Sequence, residues 1–394
     1  MLRGNRRERA KLKNSAEACH ERFSGKPFAI VGCAVLLLSL SLLVLNADPQ
    51  SPDTQAAKGD PILGERIAGG IVFEGKLWLR GIGGGLISLS LADGSRQVHF
   101  ERGVIDIKKI GHDLCVMRWP SRDARDVVLS AWRQDRFEDF ARFSPSEKDE
   151  PLALVNSGSD SVVLSVQAIR VFSADKHTWR QIKLKGKLRG GFQQTADSPT
   201  SGDSVYVGFN TGEWGGGLQR VDLRTGVISD VERRDTKELC AGPLNSACDP
   251  VTGVIPDPQN KNCILAAVGL VHMLEHGRIL RVCGKVVSVV FEESYKVDGF
   301  KGDKWEMTEA FFGLVPTVDG GFWAITSEAL YLFAEDGTKK QGYPLPELKP
   351  VSGIYLSREL PGVVVVRTDA NWAVSVSGYT PLLIPLEGVQ PNSQ

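Results

Sequence analysis

Three stretches of this 394-residue chain are variants of one another, and that self-similarity limits the fold more than any single motif does. They are GKLWLRGIGGGLISLSLADG (75–94), DSVYVGFNTGEWGGGLQRVDLRTG (203–226) and GGFWAITSEALYLFAEDG (320–337). Each sets an aromatic (Trp78, Tyr206, Trp323) inside a short apolar strand and follows it with a turn of small residues. An alternating strand comes next and ends in Asp93-Gly94, Thr225-Gly226 or Asp336-Gly337. Alternation with period two and a closing turn dipeptide mark a β-hairpin, not a helix. Weaker copies at 113–132, 152–172, 263–284 and 362–386 also read strand–turn–strand. Units recurring roughly every 45 residues have the size of a four-stranded propeller blade.

The order of aromatic strand, Gly-Leu, alternating strand and Asp/Thr-Gly resembles the propeller repeats of two-component-regulator sensors. GLQRVDLRTG is also similar to the quinoprotein-type repeat, with Asp222, Thr225 and Gly226 matching its Asp-x-x-Thr-Gly core. The tryptophan that follows Thr-Gly in that repeat is replaced by Val227-Ile228-Ser229, and no adjacent-cysteine pair is present, so no cofactor is carried over. The expected fold is an all-β β-propeller over residues 66–390, with seven four-stranded blades or, alternatively, six. Two stretches depart from the repeat. Val128, Trp132, Phe140 and Phe143 give 122–143 the spacing of an amphipathic helix. Residues 236–262 are proline-rich and too long for a blade turn, and read as an extended loop.

Ahead of the repeats, PFAIVGCAVLLLSLSLLVL (27–45) is free of charge and, at 1.5 Å per residue, spans about one hydrocarbon core. Residues 1–26 carry eight Lys/Arg against three acids. This predicts a cytoplasmic basic tail (1–26), an uncleaved transmembrane anchor (27–45) and an outward-facing remainder. Residues 46–65, with three prolines, read as a polar tether. The expected location is a bacterial inner membrane with the C-terminal domain in the periplasm. The absence of any N-x-Ser/Thr sequon after residue 45 agrees with a source that does not N-glycosylate. Subtracting the tail from 47 basic and 47 acidic residues leaves 39 and 44, a mildly acidic body that argues against nucleic acid as partner.

Four of the seven cysteines, Cys240, Cys248, Cys263 and Cys283, fall in one 44-residue window without zinc-type spacing. In an oxidising compartment they read as two disulfides. The preferred pairing is Cys240–Cys248, closing the polar loop, and Cys263–Cys283, joining neighbouring strands. Cys115, flanked by apolar residues, reads as an inert core thiol.

Among site candidates, His272, Glu275 and His276 spell H-x-x-E-H, a zinc motif if helical. The repeat register makes the same stretch a hairpin turning at His276-Gly277, with the two histidines about 13 Å apart along a strand. Asp249, Asp257, Asn260 and Asn262 offer oxygen donors without the spacing of a calcium loop. No metal is therefore assigned. Gly215-Gly216-Gly217 precede a strand rather than a helix, which fits a bulged turn better than a phosphate cradle. Glu213 and Trp214 are what the repeat does not account for, an acid and an aromatic able to hydrogen-bond and stack on a sugar or peptide. The inner strands read as apolar, which weighs against propeller catalysis. The function expected is a membrane-anchored binding or scaffold module for a protein, envelope glycan or small ligand. A carbohydrate-active propeller hydrolase or lyase, or a zinc hydrolase, is the alternative.

Overall fold

The computed structural model describes residues 67–344, except 158–159, 191–192, 239, 272–274, 299–301 and 318–319, together with 362–368 and 379–385. The expected tail, anchor and tether lie outside the described residues, among which no helix is long and apolar enough to cross a membrane. Everything described belongs to one compact unit, Gln55–Gln394.

Six four-stranded antiparallel blades follow one another along the chain. Blade 1 is β1 (Ile67–Phe73), β2 (Lys76–Gly81), β3 (Leu86–Ser90) and β4 (Arg96–Phe100). Blade 2 is β5 (Val104–Ile110), β6 (Asp113–Arg118), β7 (Val127–Arg133) and β8 (Arg136–Phe143). Blade 3 is β9 (Pro151–Ser157), β10 (Asp160–Ser165), β11 (Ala168–Ser173) and β12 (Thr178–Lys183). Blade 4 is β13 (Gln193–Asp197), β14 (Ser204–Asn210), β15 (Leu218–Asp222) and β16 (Ile228–Val231). Blade 5 is β17 (Val251–Pro256), β18 (Cys263–Val271), β19 (Glu275–Cys283) and β20 (Val286–Phe291). An inserted hairpin, β21 (Ser294–Asp298) and β22 (Lys304–Thr308), precedes blade 6. Blade 6 is β23 (Gly313–Pro316), β24 (Phe322–Ile325), β25 (Ala329–Phe333) and β26 (Lys339–Pro344). A two-stranded sheet, β27 (Gly362–Thr368) with β28 (Tyr379–Pro385), comes last.

Five of the first six repeat units fall on the two middle strands of one blade, and the remaining one, 152–172, takes in the first three strands of blade 3. Among the described residues the unit at 362–386 contributes one pair of strands and not a seventh four-stranded blade, so six such blades are described. The first strands of successive blades lie side by side, β1 to β5, β9, β13, β17 and β23, and form the inner ring. Fourth strands are largely exposed, as in β12 and β26. Apolar clusters fill the seams between adjacent blades, including Trp78 with Leu114 between blades 1 and 2, and Val207 with Val162 between blades 3 and 4. Full burial of side chains of this size contributes about 1.5–3 kcal/mol each, so the seams hold the disc together.

The repeated Asp-Gly turns share one physical device. Asp222 Oδ1 accepts the Thr225 amide at 2.7 Å and its hydroxyl at 2.8 Å, and Gly226 closes the turn at φ 72°. Asp93 and Asp336 take the amides of Ser95 and Thr338 in the same way. The Ser95 amide, with the Ser90 and Ser95 hydroxyls, holds the Asp93 carboxyl down at about 2.

Two expectations are corrected. Residues 122–143 are not a helix: β7 and β8 turn at Gln134-Asp135, both at positive φ. β7 is buried at every position but its last, and a strand covered on both faces loses the alternation that would have identified it. The proline-rich stretch 236–262 is only in part a loop, because VTGVIP within it forms β17, the inner strand of blade 5.

Candidate functional site

In an up-and-down meander, the second turn of each blade and the connection to the next blade emerge at the same end. That places 211–217, 232–250, the β18–β19 turn and the β21–β22 insertion together. Between β14 and β15 the chain makes one 3-10 turn, Gly212–Trp214. Asn210 Oδ1 accepts the Gly212 amide at 2.8 Å, and Gly215 O accepts the Thr211 amide at 2.9 Å. Glu213 is exposed, and Trp214 is 73% exposed. The indole therefore does not cap the apolar end of the blade.

Behind this turn the three glycines serve close approach. Their φ values are 75°, 135° and 75°. The Gly216 amide donates to Ser246 O and the Gly217 amide to Asp249 O, both at 2.9 Å. A Cβ on Gly216 would lie 2.0 Å from Phe209 O, and one on Gly215 would lie 2.5 Å from Ser246 O. Arg189 Nη1 closes the back of the turn on Gly216 O at 2.9 Å. This is the positive-φ glycine turn expected from the sequence, without a bulge in the β14–β15 register, and it clasps the loop from the next blade.

That loop is itself pinned. Cys240 and Cys248 are disulfide-bonded, as are Cys263 and Cys283 in directly paired positions of β18 and β19. Cys115 is buried and free, and burial with the nearby Asp113 carboxylate pushes its thiol up to about 12. Asp249 organises the loop from below: its Oδ2 accepts the Asn245 amide at 2.6 Å and Arg278 Nη2 at 2.7 Å, and its Oδ1 lies 2.9 Å from His276 Nε2. Asp257 is occupied at the opposite end of the blade, where Arg281 Nε donates to it at 2.6 Å. The oxygen donors Asp249, Asp257, Asn260 and Asn262 thus form no common cluster. Asn260 and Asn262 belong to the turn before β18, where Asn260 Oδ1 accepts the Asn262 amide at 3.1 Å.

The H-x-x-E-H stretch is in strand geometry. Glu275 and His276 open β19, and His276-Gly277 pair with Leu270 and Gly269 rather than forming the turn. His272 lies outside the described residues. Successive strand residues point to opposite faces, and the two side chains have separate partners. His276 meets Asp249, whereas Glu275 accepts the Ala310 amide at 2.9 Å and the Tyr295 hydroxyl at 2.5 Å. Burial and this carboxylate push the Tyr295 hydroxyl above its usual range, keeping it a donor.

The inner ring is not apolar throughout. Lys108 on β5 reaches past β9 to Asp197 on β13, with Nζ 3.2 Å from Oδ2. Asp106 Oδ2 accepts the Leu154 amide of β9 at 2.7 Å, and burial pushes its carboxyl up. These charges tie blade 2 to blades 3 and 4. Their sequence signal was the alternation of Asp106 and Lys108 in VIDIKKI, which a half-exposed outer strand would show equally well.

No protein-family model matches the chain, and no curated protein matches it. Among solved structures it is similar to the extracellular domain of a B. thetaiotaomicron protein described as a hybrid two-component system, at 12% identity and TM-score 0.49. That match covers 83% of this chain and 39% of the other, so the chain spans about two fifths of its length. A chain of the mitotic checkpoint complex matches at 12% identity and TM-score 0.49, over 78% of this chain and 88% of the other. YCF48 from Cyanidioschyzon merolae matches at 10% identity and TM-score 0.47, over 83% and 97%. The blades themselves, six meandering sheets around an inner ring, make this chain a β-propeller protein.

Proposed function

We propose that this protein is a membrane-anchored, extracytoplasmic binding module that grips its partner at the end carrying Glu213 and Trp214. The observation that carries this reading is an indole left in solvent on a turn whose backbone is fixed from behind by Gly216, Gly217 and the disulfide-pinned loop. A large rigid aromatic supplies contact area at little cost in ordering, and fixing it in advance improves binding further. The adjoining carboxylate of Glu213 accepts hydroxyl, amide or ammonium donors, which suits a glycan or a peptide. The two disulfides fit an oxidising compartment, and the charge-free stretch 27–45 behind a basic tail fits an anchor in a bacterial inner membrane, with the tether at 46–65.

In vivo crosslinking of the intact membrane protein, followed by identification of partners, tests the reading. A genuine partner is lost at least tenfold with Trp214→Ala and weakened with Glu213→Gln, while Val98→Ala on a distant outer strand leaves it in place. Partner recovery indifferent to both loop substitutions would reject this end as the binding surface.

A further inference from the structure

Among the described residues, the outermost strands of the six blades are sheet edges, and five of them carry charge. β4 has Arg96, β8 has four charged residues including Arg136 and Glu138, β12 has Arg180 and Lys183, β16 has Asp230, and β26 has Lys339 and Lys340. Charged side chains on an edge are the usual means of preventing another strand from adding to it. β20, VVSVVF, has none. Val286 is 71% exposed and Val289 47% exposed, although β-branched apolar residues are the ones a neighbouring strand would cover. A bulge between Val289 and Phe291 interrupts this edge, and the Arg233 guanidinium, from the segment before blade 5, caps Val287 O at 3.0 Å, but no residue of the strand itself is charged. Beside its lower half lies an open hollow of about 310 Å³ that Val289 and Glu292 share with Arg233 and Pro243.

The residues bounding the strand point to what covers it. The run is Lys285-VVSVVF-Glu292, and both charges are exposed with no ion pair among the described residues. An antiparallel two-fold pairing of this strand with itself, centred between Ser288 and Val289, sets Lys285 of each copy opposite Glu292 of the other. Between them Val286 faces Phe291, Val287 faces Val290 and Ser288 faces Val289. A two-fold interface needs a patch that is complementary to itself, and a strand with opposite charges at its two ends meets that condition.

We infer that β20 is a docking edge for a second copy of this chain, joining blade 5 of two molecules into one eight-stranded sheet. Edge pairing supplies main-chain hydrogen bonds along the outer side of β20, displacing the Arg233 guanidinium from Val287 O, the valines supply apolar contact, and the Lys285–Glu292 pairs set the register. This surface lies on the rim and leaves the Trp214 end free for a partner.

The test is the mass of the full-length protein in detergent by light scattering, over a range of concentrations. The wild type is expected to be a dimer, and Val289→Lys a monomer with unchanged circular dichroism. Lys285→Glu alone should weaken the dimer at least fivefold, and Lys285→Glu with Glu292→Lys should restore it. Ser288→Cys, placed beside the two-fold axis in a Cys19→Ser, Cys33→Ser background, should give an oxidised dimer. A wild-type monomer overturns the inference. So does a dimer that persists in Val289→Lys, which would place the contact elsewhere.

Discussion

Arg278 Nη2 donates to Asp249 Oδ2 at 2.7 Å, with both groups buried beneath the disulfide-pinned loop. The same guanidinium gives its Nε to Pro243 O at 2.7 Å, so one side chain from blade 5 holds both ends of the segment that the glycine turn clasps. Removing the carboxylate leaves a buried cation without its counter-charge. Asp249→Ala is expected to cost about 3–5 kcal/mol in urea denaturation, the range for breaking one side of a buried pair. Asp249→Leu combined with Arg278→Met should cost less than the sum of the single changes. Additive losses would show that the two groups act independently.

The glycine turn separates close approach from conformation. Gly216 has φ 135° and no space for a Cβ, while Gly212 has φ 66° and nothing within 4 Å of where a Cβ would stand. Gly212→Ala should therefore cost roughly 1 kcal/mol, the price of a left-handed backbone. Gly216→Ala should cost about 3 kcal/mol or more, because steric overlap is added to strain. Equal losses at the two positions in thermal melts would mean that the turn yields rather than clasps.

The repeat units were legible because each is a hairpin whose aromatic, alternation and turn dipeptide are local. Both disulfides were legible for the same kind of reason: Cys240–Cys248 closes a short loop, and the Cys263–Cys283 spacing is that of facing positions in a hairpin. β7 was hidden because burial on both faces erases period two, leaving only Trp132 and the valines to mimic a helical stripe. The partners of Asp249 were hidden for another reason. Arg278 and His276 lie 29 and 27 residues away, and only the meander brings β19 under the loop. The exposure of Trp214 was equally unreadable, since a tryptophan beside three glycines suits a capped blade or a bare turn.

The two disulfides close loops of different length and should be separable in function. With sequence separations of 8 and 20, loop-closure entropy gives about 2.5 kcal/mol for Cys240–Cys248 and about 3.3 kcal/mol for Cys263–Cys283. Paired serine substitutions should lower stability in that order. The first pair alone should weaken partner binding, because it holds the loop behind Trp214, whereas Cys263–Cys283 lies at the opposite end of blade 5. Crosslinking yields measured beside urea midpoints would show this, and equal binding in the two variants would contradict it.

His99 makes stability depend on pH. Its ring sits in an aromatic box, 4.5 Å from Trp78 and 5.0 Å from Trp132 between centroids, with Nε2 2.8 Å from Ser88 Oγ. Burial, and then the Lys76 ammonium, hold the imidazole down to about 4, against an ordinary value of about 6.5. Between those two values the unfolded chain binds a proton that the folded one refuses, so stability rises with pH across this window and falls on acidification through it. That stability is fully present above about pH 6.5, and the loss is of order 1–3 kcal/mol by the time pH approaches 4. Gln at position 99 retains a partner for Ser88 but cannot take up the proton. Urea midpoints at pH 7.5 and 4.5 should therefore differ more in the wild type than in His99→Gln. If the two proteins lose stability equally over that interval, the imidazole titrates as it does in water and the box does not exclude its charged form.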